Sequence, residues 1–223
     1  MEIAMKVQEN SKFEKLEYEI TWNALGDPYP PIAIKLMEKI VPLITRKPRR
    51  AVEECLNAIK LYPEIPIFYN NLCCAYQHLG DYENSKKIVR ELYQRVPDYL
   101  FAKCGYADLR MQEGHAEEVL QIFDGCYCLK ALYPKRDVFH VTEIKIFDVT
   151  MINYFCHMGR VDRARVYLQE LELVAPDEDI TDELRMKFLI AAFKNPLQRG
   201  RSKYRAMTRR PIKASKKSIS PHQ

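Results

Sequence analysis

Glycine is scarce in this chain, at 7 of 223 residues, and no Gly/Ser-rich linker interrupts it. A sheet protein uses glycine for its tight turns, so the shortage favours a continuous helical stack. No run of about 18 apolar residues occurs, and no transmembrane segment is expected. The start, Met1 to Lys6, has neither the basic residues nor the apolar stretch of a secretory signal. No Gly-rich phosphate loop and no serine-nucleophile elbow is present. An enzyme, assembled from scattered residues without a recognisable motif, is therefore only a weak alternative. The seven cysteines are odd in number and scattered through apolar positions rather than set out as a disulfide framework. They read as reduced thiols, which predicts a cytoplasmic protein. Cys126-x-Cys128 is no metal motif, because residues two apart on a helix point to nearly opposite sides. Cys73-Cys74 fails similarly, and neither has a second pair at zinc spacing. His140 and Glu143 can share a helix face, yet no second His follows at metalloprotease spacing. The expectation is no metal, no cofactor and no catalytic residue.

What is present is a 47% hydrophobic content, enough for one domain or an array, and a sharply divided charge. From residue 184 to 223 there are 12 Lys/Arg and no Asp/Glu, so the total of +5 is an end at +12 joined to a body at −7. Such asymmetry marks a basic tail with its own role or a solubilising one.

The most regular stretch is 66–99. Tyr69, Leu72 and Tyr76 recur at three- and four-residue steps and share a helix face. Gly80-Asp81 closes that helix and caps the next, which Ile88, Val89 and Leu92 line until Pro97 stops it. This hairpin resembles one unit of the tetratricopeptide repeat (TPR) family, a 34-residue helix-turn-helix. The resemblance recurs at the same pitch: Pro63 lies 34 residues before Pro97, and Gly114 lies 34 after Gly80. It implies an all-α fold, a short right-handed superhelical solenoid with units at 32–65, 66–99, 100–134 and 145–178. Ala51, Ala58 and Ala164 fall at the family's small-residue positions, Phe123 at a large one. Pro42 stands in the first unit where a large aromatic belongs.

The intervals Pro97–Pro134 and Pro134–Pro176 are 37 and 42 residues, longer than one period. The extra residues are expected in a longer second helix of the third unit and in the loop 133–137. A capping helix over 179–196, started by Asp179 or Thr181 and carrying Leu184, Phe188, Leu189, Ala192 and Phe193, is expected to cover the end of the stack. Residues 1–30 form an N-terminal extension. Phe13, Leu16 and Ile20 there fit a helix, whereas Leu16, Tyr18, Ile20 and Trp22 alternate as a strand does. The helix is preferred, because no other stretch offers a strand to pair with. Residues 197–223, polar and basic, are expected to be disordered.

In the TPR family the first helices of successive repeats line a concave groove, and the resemblance implies protein–protein interaction: an adaptor, scaffold or chaperone binding a peptide or helix there. The second unit would contribute Asn70, Cys74, Gln77 and His78. The third would add Phe101, Asp108, Met111 and Gln112, and the fourth Val149, Asn153 and His157. The same positions also serve packing between neighbouring helices. The family's chaperone-tail clamp is not expected: Asn71 fits it, but Leu36, Ile40, Phe101 and Gly105 occupy the places of its other residues. In the tail, Arg199, Arg201, Lys203, Arg205, Arg209, Arg210, Lys213, Lys216 and Lys217 offer an alternative of another class, association with nucleic acid or an acidic partner.

Overall fold

The structure is a computed structural model that describes residues 18–23, 29–176 and 179–194. Ten α-helices dominate it. In chain order they are α1 (Pro31–Arg46), α2 (Pro48–Leu61), α3 (Pro66–His78), α4 (Tyr82–Arg95), α5 (Leu100–Gln112), α6 (Val119–Ile122), α7 (Leu129–Leu132), α8 (Val141–His157), α9 (Val161–Val174) and α10 (Asp179–Lys194). A 3-10 turn, Ala116–Glu118, leads into α6.

Proline and glycine set the helix boundaries. Lys47, Tyr62, Val96, Tyr133 and Ala175 each end a helix and each precede a proline, whose ring excludes the α conformation for the residue before it. Pro31, Pro48 and Pro66 then open the next helix, where a missing N–H costs nothing. Within a hairpin the turn is made by Gly80, Gly114 or Gly159, all at positive φ. The following residue reaches five back in each case: Asp81 N to Tyr76 O at 2.9 Å, His115 N to Arg110 O at 2.8 Å, Arg160 N to Phe155 O at 2.8 Å. That pattern closes the open carbonyls of a helix end. Asp81 adds a cap, its Oδ1 accepting from Asn84 N at 3.2 Å.

Neighbouring helices pack consecutively: α1 on α2 and α3, α2 on α3, α3 on α4, α4 on α5, α5 on α8, α8 on α9, and α10 on both α8 and α9. Small side chains allow the approach, with Ala51, Cys55, Ala58 and Ala164 fully buried. The apolar interior falls into two bodies. One joins α1–α4 around Ile40, Phe68 and Leu72. The other joins α5–α10 around Phe123, Phe139, Phe147 and Leu171. Between them sits a small cluster, Tyr69, Leu92 and Ala102. α5 is held against α4 and only marginally against α3.

Three expectations are corrected. The fold is not purely helical: β1 (Glu19–Thr21) and β2 (Val138–His140) pair in parallel, Ile20 opposite Phe139. The strand alternation around Tyr18 and Ile20 was therefore the governing signal, and its partner lies within the long interval before α8. The third unit's second helix is not lengthened but broken. Asp124 and Gly125 both take positive φ, and Gly125 N closes the turn on Leu120 O at 2.7 Å. The buried Lys103 ammonium completes the break by donating to Ile122 O at 2.8 Å and to Asp124 Oδ2 at 2.9 Å. The helix expected to open the fourth unit, lastly, starts at Val141, four residues before the expected 145. His140 Nδ1 accepts from Thr142 N, and Glu143 Oε2 accepts from His140 N at 3.0 Å, a capping box. That is the use of the His140/Glu143 pair.

Candidate protein-binding face

The groove positions sit on α3, α5 and α8, the first helices of the second, third and fourth hairpins. On α3, Asn70 and Cys74 are half-buried, and Gln77 and His78 are exposed. Gln77 Nε2 donates to Cys73 Sγ at 3.8 Å, a local contact. On α5, Phe101 and Asp108 are half-buried and Gln112 is exposed; Phe101 lies against the Tyr99 ring at 5.4 Å. Met111 is buried in the second apolar body, so it serves packing rather than an open face. On α8, Val149 and Asn153 are half-buried and His157 is exposed.

Three helices converge on one polar row. Lys187, from α10, donates to Asn153 Oδ1 at 2.6 Å. Asn153 in turn hydrogen-bonds the Asp108 carboxylate, and Lys187 attracts it. Burial nevertheless dominates and pushes the Asp108 carboxyl up to about 6. Its Oδ1 is buried without a partner. Lys187 was missed from sequence because α10 reads as a lid. It packs on both α8 and α9, and Lys187 reaches Asn153 from there.

Burial pushes Cys74 up to about 11 and Cys55 up to about 12, so both stay protonated at neutral pH. All seven cysteines are free. The ligating atoms of His115, Glu117 and Glu118 come within 4.8 Å of one another. However, Arg110 already forks onto Glu118, at 2.8 and 2.9 Å, and onto Glu113 at 2.5 Å. This is an ion-pair cluster tying α5 to the 3-10 turn.

A second polar cluster lies inside the α5–α10 body. Asp148 of α8 is fully buried with Oδ2 unpartnered, and Glu170 of α9 accepts a hydrogen bond from Tyr18 next to β1. Burial first, then the neighbouring Glu170, pushes Asp148 well above the usual carboxylate range. Burial raises Glu170 too, opposed by the Tyr18 hydrogen bond.

Among the described residues no helix is long and apolar enough to cross a membrane. The nine tail cations from Arg199 to Lys217 lie outside the described residues. Compared with protein-family models, with curated proteins and with solved structures, the chain shows no match.

Proposed function

We propose that this chain is a protein–protein interaction module, an adaptor, scaffold or chaperone, and not an enzyme. Its helical hairpins are read as TPR-like units of a short right-handed superhelical solenoid, whose first helices present a peptide or helix-binding groove. One observation carries this reading. Successive first-position helices α5, α8 and α10 bring Asp108, Asn153 and Lys187 into a single row, and Asp108 keeps an unused acceptor. The same helices hold half-buried Phe101 and Val149, so an extended partner meets both apolar surface and hydrogen-bonding groups. The free thiols support a reducing, cytoplasmic setting.

A peptide selected from a random library against the full chain provides the test, read by calorimetry. Asn153→Ala and, on α3, Asn70→Ala are each expected to weaken binding about tenfold, the loss of one hydrogen bond of about 1.4 kcal/mol. Unchanged affinity in both variants ends the reading.

The nine cations favour a second reading, nucleic-acid association through the tail. Retention on immobilised RNA is then expected to fall steeply with salt and to vanish when the nine are replaced by glutamine. Retention that survives the replacement disposes of it.

A further inference from the structure

The first hairpin turns on cations. Arg46 ends α1, Lys47 makes the turn, and Arg49 and Arg50 stand in the first turn of α2. All four are exposed. With Pro48 they fill five consecutive residues, a span of about 14 Å at full stretch, so their charges act on one partner together.

Carboxylates do not offset them. Arg46, Lys47 and Arg49 make no ion pair among the described residues, and no acid stands in the first turn of α2. Glu54 lies 3.8 Å from Arg50 but is already held by Lys39 at 2.7 Å. Arginines elsewhere in the fold are paired: Arg90 and Arg110 with Glu113, Arg136 with Glu143, Arg185 with Glu172. Four adjacent cations thus stand within a body whose net charge, outside the basic end, is −7.

Three of the four are arginine, whose planar fork meets phosphate oxygens two at a time. Duplex nucleic acid presents about one charge per 1.7 Å of its axis, so a span this short meets several phosphates. What the patch lacks narrows the partner further. No aromatic residue occurs between Tyr29 and Tyr62, so no ring is there to stack on the bases of a single strand. Between Val41 and Leu56 no large apolar side chain is exposed, and charge without an apolar insert is a weak membrane anchor.

We infer that Arg46, Lys47, Arg49 and Arg50 form a docking site for the phosphate backbone of duplex nucleic acid, bound without regard to sequence. Contacts to phosphate position a duplex and read no bases. The negative body repels the same polyanion, so the patch sets which end of the stack faces it. This inference rests on neither the groove nor the tail.

Fluorescence anisotropy of the full chain on a short DNA duplex, titrated over a range of salt, is the experiment. Replacing Arg46, Lys47 and Arg49 together by glutamine removes about three phosphate contacts. The slope of log affinity against log salt is then expected to become shallower by about 2.7. These side chains are exposed and hold no carboxylate, so the melting curve is expected to stay in place. Arg46→Lys with Arg49→Lys keeps the charge and should keep the slope. Lys60→Gln, Lys87→Gln and Lys135→Gln together remove the same charge from exposed sites scattered over the fold, and should move the slope by less than about 1. The same differences are expected in a chain whose nine tail cations are glutamine, so failure of the tail reading leaves this one standing. Absence of duplex binding, or equal slopes for the unmodified chain and the patch variant, overturns the proposal. So does an equal shift from the scattered variant, since net charge rather than place then acts. Displacement of the duplex by polyglutamate at equal charge makes the partner an acidic protein and overturns it too. The last contrary result is patch-dependent binding to phosphatidylserine vesicles with none to the duplex, which makes the partner a membrane.

Discussion

Phe139→Ala is expected to lower stability by about 3–5 kcal/mol, the usual cost of emptying a buried phenylalanine site. For a chain of this size that is a drop of about 10 °C in Tm. The ring is fully buried on β2. Tyr18 packs edge-on against it at 5.1 Å, Tyr133 lies 6.3 Å away, and the Arg136 guanidinium sits 4.4 Å over its face. Arg136 is itself forked onto Glu143, at 2.7 and 2.9 Å, in the first turn of α8. The substitution therefore empties a site that holds β1, the loop before β2 and the start of α8 together. Loss of β1 gives a second readout: the Glu19 amide, which donates to Asp137 O at 2.7 Å, should lose its protection from hydrogen exchange. Phe139→Leu should recover more than half of the stability. A cost below 1 kcal/mol for the alanine variant would show that the ring is not a keystone of this region.

The opposite sign is expected from Asp148→Asn. Asp148 is a buried carboxyl raised well above its ordinary range by burial and by Glu170. The folded state then binds more protons than the unfolded one, so this group's contribution is full below about pH 4 and is lost as pH rises through the folded pKa. Asparagine keeps the shape and removes the ionisation. Urea melts should show little change near pH 4 and a gain of about 2 kcal/mol at pH 8, on the scale of a partly relieved buried charge. Glu170, raised in the same direction, leaves some of the slope in place. An equal loss at both pH values would mean that the Asp148 oxygens accept an essential hydrogen bond, and the charge argument would fall.

Most helix boundaries were legible because their causes are local. A proline acts on the residue before it, and a glycine at positive φ needs no distant partner, so Pro63, Pro97, Pro176, Gly80, Gly114 and Gly159 could be read from spacing alone. The strand pair could not, since three residues make a weak signal and Ile20 and Phe139 meet across most of the chain. The break after α6 had a visible cue in Asp124-Gly125, a turn dipeptide, but the expected helix was carried across it. For the candidate face, position on a helix was readable and surroundings were not. Met111 turned inward, and Asp108 is raised by burial against the opposing pull of Lys187 and Asn153, which belong to two other helices, so neither effect could be read from α5 alone.

The narrow Tyr69–Leu92–Ala102 cluster, with α5 barely touching α3, acts as a waist between the two apolar bodies. Besides that cluster, the Tyr93–Tyr106 ring stack at 4.3 Å and the Arg90–Glu113 ion pair tie α4 to α5, so a bend here strains these contacts without opening either apolar body. On the proposed function, the face from α3 to α10 would change its curvature chiefly at this point. A ligand long enough to bridge the waist would then select among those curvatures, and one confined to α5, α8 and α10 would leave them unchanged.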